Sequence, residues 1–329
     1  MKKRNQKNLA IAVDIGATNF RTAIVDDKGR IIKKILTKTV RQGNNFAISK
    51  QITRETNLLL KDQSKANILG LGVSIAGPID FKRGGSINPP NLYFNCIPIV
   101  DPLKKVFSFP VVLYNDCNVG VLAEKFFGEG KKISNVVYIT MSTGVGGGVF
   151  MDGRLLLGKD GNAAEVGHIT VDTQYNLTCT CKKGRGHWEA YASGRNIPKF
   201  FKAWTKGKNL DFRKLNSAKD IFEEAKSGDK ICLWFIEDLG KINGRGISNV
   251  IAAYDPELIV LGGSVVLNNK QLILKPALKN VDKFLRQPKI KVSILGEDAP
   301  LLGAAASVFY NEDRFTSEEM RILPSYKVW

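Results

Sequence analysis

Two stretches of this chain repeat one grammar: an apolar strand, a glycine-bearing turn and a second apolar strand coming back. The first runs from Leu9 to Asp14, turns through Gly16-Ala17-Thr18-Asn19 and returns as Arg21 to Asp26. The second runs from Asn135 to Met141, turns through Ser142-Thr143-Gly144-Val145-Gly146-Gly147-Gly148 and resumes at Val149. Apolar runs joined by such turns read as hairpins. Two of them, opening two halves of the chain, argue for a duplicated architecture rather than a single doubly wound sheet. The length of 329 residues agrees, because about 150 residues per domain gives two domains.

Between the hairpins, Asp27-Lys28-Gly29 turns the chain into a long polar stretch. Within it Ile48, Ile52, Leu58, Leu59 and Leu60 suggest a helix, and Ile68 to Ile75 reads as a strand. Gly84 to Pro102 is rich in Pro, Gly and Asn and reads as loop. Val111 to Tyr114 is a short strand ending at Asn115-Asp116. Val119, Leu122, Ala123, Phe126 and Phe127 then fall at i, i+3, i+4, i+7 and i+8, the spacing of a helix with one buried face. Asn115 and Asp116 therefore stand at a strand-to-helix junction, where a side chain can project into a crevice. Late in the chain, Ile247, Val250, Ile251 and Tyr254 share a helical face that Asp255-Pro256 ends. Leu258 to Leu261 is a strand capped by Gly262-Gly263-Ser264.

Lys and Arg number 49 against 31 Asp and Glu, a net charge of +18. The basic residues are spread in short clusters, such as Lys104-Lys105 and Lys131-Lys132, without the concentrated, aromatic-laced patch of a nucleic-acid binder. A solvated basic surface is expected, one that would favour an anionic small molecule. Five unevenly placed cysteines do not make a disulfide framework, which points to a reducing compartment. The apolar run Leu9 to Val13 is too short for a secretory signal. No run approaches the roughly 18 apolar residues of a membrane span. A cytoplasmic protein with no membrane partner is expected.

Phosphate oxygens need several backbone N–H groups aimed at one spot, and small residues let the backbone come that close. The two glycine turns and Gly262-Gly263 could supply this, with Thr18 and Thr143 donating hydroxyls and Asp14 holding a Mg²⁺ water. Ordinary hairpin turns also carry glycine, and the repetition is what favours nucleotide binding. Two better-known loops do not fit. Gly153 to Lys159 matches a Walker A loop until Asp160 takes the Ser/Thr position, and Val149 replaces the last glycine of a dinucleotide fingerprint begun by Gly144 and Gly146.

The two histidines of the chain, His168 and His187, fall close to Cys179 and Cys181. Neutral imidazole and thiolate are the usual tetrahedral Zn²⁺ ligands, so the four could close a structural site. Unrelated thiols and histidines are the plainer alternative, and C-x-C is tighter than the usual cysteine spacing. Glu165 and Glu189 bracket the segment. Carboxylates there could accept hydrogen bonds from vicinal hydroxyls, as in sugar recognition, or could be surface glutamates; spacing does not choose.

As a set, Asp14-Ile15-Gly16-Ala17-Thr18, Asn115-Asp116 opening a helix, the turn Ser142 to Gly148, Glu165-Val166-Gly167-His168, Glu189-Ala190-Tyr191-Ala192-Ser193-Gly194 and Pro300-Leu301-Leu302-Gly303-Ala304-Ala305 resemble the ROK family of sugar kinases and repressors. The resemblance runs from about Leu9 to Ser307. It implies an α/β, actin-like (hexokinase/ribonuclease H-like) two-domain fold with an interdomain cleft. The small domain is expected to take residues 1–115 plus a C-terminal helix at about 300–329, and the large domain residues 116–299 with the zinc knuckle. ATP phosphates would lie against Gly16, Ala17, Thr18 and Asn19 and against Thr143 and Gly144, with adenosine near Gly262 and Gly263. Sugar hydroxyls would meet Gly77, Asn91, Asn115, Asp116, Glu165, His168 and Glu189.

His168, Cys179 and Cys181 match three zinc ligands of the family, and His187 stands where a third cysteine is usual, one residue further on. Ala17 and Asn19 replace the more usual Gly and Lys of the first phosphate loop. The implied function is an ATP-dependent kinase, with Mg²⁺, that phosphorylates the 6-hydroxyl of a hexose, glucose ahead of the alternative N-acetylmannosamine. Asp116 would be the catalytic base. A non-catalytic sugar sensor is the third reading. About eight residues precede the first strand, whereas a DNA-binding domain needs roughly 50, so no nucleic-acid partner is expected. The family analogy implies a homodimer or homotetramer.

Overall fold

The computed structural model describes residues 7–61, 67–89, 92–210 and 215–309. Asn91, one of the expected sugar contacts, and the stretch from residue 310 onward lie outside the described residues. The chain divides into two compact units. Unit 1 takes the described residues up to Phe127, Leu157–Ala163 and those from Asp298 on, and unit 2 takes Gly128–Leu156 and Ala164–Glu297.

Unit 1 is built from β1 (Asn8–Ile15), β2 (Asn19–Asp26), β3 (Ile31–Lys38), α1 (Ala47–Leu60), β4 (Asn67–Ile75), β5 (Ile79–Asp80), β6 (Gly85–Ile87), β7 (Cys96–Pro98), α2 (Val100–Lys104), β8 (Val111–Asn115) and α3 (Asp116–Phe126). Its main sheet has the order β3-β2-β1-β4-β8. β1 is antiparallel to β2 and parallel to β4, and β8 runs parallel to β4. The stretch read as polar contains β3, whose residues alternate half-buried and exposed. The stretch read as loop carries β6, β7 and α2. In α1, Ile48, Ile52 and Leu59 are fully buried while Leu58 faces outward.

Unit 2 contains β9 (Val136–Met141), β10 (Val145–Met151), β11 (Arg154–Leu155), α4 (Glu189–Ala192), α5 (Ile197–Gly207), α6 (Ala218–Lys226), α7 (Lys230–Tyr254), β12 (Leu258–Gly262), α8 (Ser264–Asn268), α9 (Lys270–Lys279) and β13 (Lys289–Val292). Its sheet order, β11-β10-β9-β12-β13, repeats that of unit 1: an antiparallel trio followed by two parallel strands. The expected duplication is therefore present at the level of strand order. α7 ends where Asp255 enters the left-handed region at φ 40°. Among the described residues no helix is long and apolar enough to cross a membrane, and all five cysteines are free thiols.

The last helix, α10 (Ala299–Phe309), returns to unit 1 and packs against β1, β4 and α3. Its residues from Ala299 to Val308 are buried apart from Pro300, as expected of a helix apolar on every side. Two glycines let it seat. A Cβ on Gly72 would lie 1.8 Å from the Ala304 carbonyl oxygen, and one on Gly303 would lie 1.8 Å from that of Val119. This packing draws α3 into unit 1, so the break falls after Phe127 rather than at residue 116. Two α/β units with a shared strand order make the actin-like fold that the resemblance implied.

Candidate functional site

In unit 1 the strand register gathers the expected residues at one end of the sheet. Ile15 is level with Ile75, and Ile75 with Asn115. The turn from Gly16 to Asn19, Gly77 and the Asn115–Asp116 pair therefore all leave the carboxyl ends of adjacent parallel strands, where open α/β sheets bind ligands. The Gly16 N–H donates to the Asn19 carbonyl at 3.0 Å, while the Thr39 hydroxyl donates to the Gly16 carbonyl at 2.7 Å. Thr18 and Asn19 remain exposed. Asn115 caps α3, its Oδ1 accepting the Asn118 N–H at 2.7 Å. Its side-chain oxygen is thus committed to the helix, leaving the amide N–H₂ as the end suited to a ligand. Asp116, the first residue of α3, is half-buried in the helix's first turn.

Asp14 is 5% exposed and held from both sides. Arg21 places Nε at 2.9 Å and a terminal nitrogen at 2.6 Å from Oδ2, and Ser74 donates to Oδ1 at 3.1 Å. Arg21 also reaches Asp298 at 3.5 Å, which Lys34 meets at 2.6 Å. Reading the sequence for motifs missed Arg21 and Ser74. The signal for Arg21 was present, because in a hairpin centred on Ala17–Thr18 it stands directly opposite Asp14.

In unit 2, Gly262 is level with Thr140, so Ser142–Gly144 and Gly262-Gly263 leave neighbouring strand ends. Gly263 sits at φ 85°, and a Cβ there would lie 2.4 Å from the Met141 carbonyl oxygen. Thr143 is exposed. The turn is braced by the Gly194 N–H donating to the Ser142 carbonyl at 2.7 Å. Glu189 joins it too: its Oε2 accepts the Val145 N–H at 3.1 Å. A carboxylate expected to read hydroxyls is thus anchored beside the second glycine turn.

His168, Cys179, Cys181 and His187 converge, their ligand atoms all within 4.8 Å of one another. The two Nδ1 atoms are 3.3 Å apart, Cys179 Sγ is 3.6 Å from His168 Nδ1, and Cys181 Sγ is 3.8 Å from His187 Nδ1. Bonds of about 2.3 Å to sulfur and 2.0–2.1 Å to nitrogen, at tetrahedral angles, give N···N edges near about 3.4 Å and N···S edges near about 3.6 Å. The four side chains therefore have the chemistry and spacing of a closed Cys₂His₂ site. Below them Trp188 is fully buried, its Nε1–H bound to Asn243 Oδ1 at 2.9 Å. Tyr191 binds Asp172 at 2.8 Å. Burial pushes the Cys179 thiol up to about 12 against the Cys181 backbone N–H, which pulls it down, and the Glu189 charge adds to the rise. Burial and the neighbouring His168 pull His187 down, towards the neutral imidazole a metal needs.

His168 turns its other ring nitrogen, Nε2, to Glu165, 3.7 Å from Oε2. The Glu165 pKa is raised, by desolvation first and by Glu189 second, against the pull of His168. Nearly half of its side-chain surface still faces outward. Glu165, His168 and Glu189 thus form one polar cluster around the knuckle.

The chain is similar to known proteins over most of its length. The ROK family matches residues 10–309. The glucokinase of Pyrobaculum calidifontis is 34% identical over 302 residues, 91% of this chain and 94% of that protein. The ROK hexokinase of Thermus thermophilus superimposes with a TM-score of 0.78 at 28% identity, covering 91% of this chain and 97% of that one. A ROK family glucokinase from Streptomyces griseus, in complex with glucose and AMPPNP, superimposes with a TM-score of 0.72 at 28% identity over 90% of this chain and 98% of that one. With the motifs in order, the strand pattern repeated in both units and the family match running from β1 to α10, the chain belongs to the ROK family.

Proposed function

We propose that this chain is an ATP-dependent glucose kinase that transfers the γ-phosphoryl group to the sugar 6-hydroxyl. The observation that carries the reading is the placement of Asp116 on the first turn of α3, level with the first glycine turn, in a chain 34% identical to a glucokinase. The oxygen–phosphorus bond to the sugar forms as the bond from the γ-phosphorus to the bridging oxygen of ADP breaks. The hydroxyl proton passes to Asp116. With a loose transition state the base can accept it late, so an ordinary carboxylate suffices. Gly77 and the Asn115 amide, together with Asn91, would orient the sugar, and Glu165, His168 and Glu189 would accept or donate hydrogen bonds to its other hydroxyls.

For the nucleotide, the backbone from Gly16 to Asn19 and the Thr143–Gly144 turn would cradle phosphates, with Thr18 and Thr143 donating hydroxyls. The Gly262-Gly263 turn, where no side chain fits, would admit the adenosine. Magnesium would neutralise phosphate charge, and Asp14 is the carboxylate suited to hold one of its waters. Zinc would be held by His168, Cys179, Cys181 and His187, and its role is structural, since four protein ligands leave no open position. Through His168 it would also fix the ring that faces the sugar.

The test is ADP release with Mg·ATP across glucose, mannose, fructose, N-acetylglucosamine and N-acetylmannosamine. Turnover on glucose is expected, and Asp116→Asn should lower it by roughly 10²–10⁴ while leaving sugar binding intact. Activity confined to N-acetylmannosamine would move the substrate to the amino sugar, and full turnover by the Asn variant would remove Asp116 as the base.

A further inference from the structure

The net charge of +18 is not used up by the sugar and nucleotide chemistry, and unit 1 gathers part of it around a cavity of about 720 Å³ between α1 and α2. None of the residues assigned above to sugar, nucleotide or metal lines it. Phe46, Lys50 and Arg54 stand at i, i+4 and i+8 along one edge of α1, so one wall is a ring followed by two cations. Lys105 and Val106, just beyond α2, face it from the other side, and Arg83 adds a second guanidinium. The strand β7 is tied to this wall by the Ser49 hydroxyl, which donates to the Pro98 carbonyl.

The charge is available to a ligand. Lys50 and Lys105 have no ion-pair partner among the described residues, and Asp101 is the one carboxylate lining the cavity. Arg54 meets the buried Glu55 at 2.9 Å yet stays 65% exposed, and Arg83 meets Asp80 only at 3.8 Å and stays 71% exposed. Phe46 and Val106 are each about half exposed, at 47% and 53%. A volume of this size is that of a small-molecule site. Guanidinium forks and ammonium groups together match a phosphate, and the uncovered ring and branched side chain match an apolar body attached to it.

We propose that the cavity between α1 and α2 is a second binding site, taking a phosphate ester that carries an apolar group. The phosphate sits among Lys50, Arg54, Arg83 and Lys105, and the apolar group covers Phe46 and Val106. An alkyl ester and an aromatic ester share this chemistry, one pointing to a lipid-derived ligand and the other to a nucleotide-like one.

Isothermal titration of the full chain with octyl phosphate, phenyl phosphate and inorganic phosphate tests this, with glucose and AMPPNP present throughout to occupy the proposed kinase site. At least one ester is expected to bind more tightly than inorganic phosphate. The double variant Lys50→Glu, Lys105→Glu should weaken that ester at least tenfold, and Phe46→Ala should weaken it at least threefold without affecting inorganic phosphate. Lys131→Glu with Lys132→Glu, the same charge change at exposed positions of unit 2, should leave it unchanged. Preference for the octyl or the phenyl ester identifies the ligand class. Failure of both esters to bind, or binding indifferent to the Lys50 and Lys105 changes, overturns the proposal. So does an inorganic phosphate that binds as tightly as the esters.

Discussion

Arg21 grips one oxygen of Asp14 through two nitrogens while Ser74 holds the other, so the carboxylate at the foot of the first glycine turn has a fixed orientation. Arg21→Ala should let it swing, lowering kcat tenfold or more with little change in the glucose KM. Arg21→Lys, which keeps the charge but loses the fork, should recover part of kcat. A changed glucose KM with normal kcat would show that Arg21 acts elsewhere. Asp26 offers a pH-dependent counterpart. Burial pushes its pKa up, but Arg30 and the Lys28 and Arg30 backbone N–H groups hold it below the ordinary carboxylate value. A lowered folded pKa gives stability that is complete above the unfolded value of about 3.9 and fades as pH falls through the folded one. Asp26→Asn should therefore melt several degrees lower at pH 7, and the gap should begin to narrow only as pH falls below about 4 in thermal melts followed by circular dichroism.

Among the elements, the hairpins and α3 were legible because their apolar runs and spacings have no competing reading. β3 was not, since lysines at 33, 34 and 38 on an edge strand look polar while discouraging pairing with another chain. The short strands β6 and β7 hide among Pro and Asn residues whose pairing depends on one another rather than on local sequence. Convergence of His168, Cys179, Cys181 and His187 was legible from their closeness in the sequence, whereas the anchoring of Glu189 on Val145 spans 44 residues and left no local trace. Stripping metal from the knuckle with a strong chelator should lower the melting temperature and raise the glucose KM, and zinc should restore both; metal analysis should find one zinc per chain. Gly72→Ala, forcing a Cβ against the Ala304 carbonyl, should destabilise unit 1 by about 1–3 kcal/mol or more, read by urea denaturation.

For the whole molecule, a charge of +18 sets a positive field around an enzyme proposed to take ATP. The KM for ATP should rise several-fold between about 20 and 300 mM salt as the Debye length shrinks, while the glucose KM stays flat; an ATP KM indifferent to salt would rule out such steering. The return of α10 to unit 1 bears on how the molecule is made. A ribosome delivers the whole of unit 2 before it delivers the helix that fills the space between β4 and α3. The usual order of synthesis is thus inverted: the first half emerges early but waits with its glycine-lined groove open, and the second half can be complete before the first is closed. A nascent chain stalled short of Ala299 would carry an exposed apolar seam, the kind of surface that chaperones hold and proteases find.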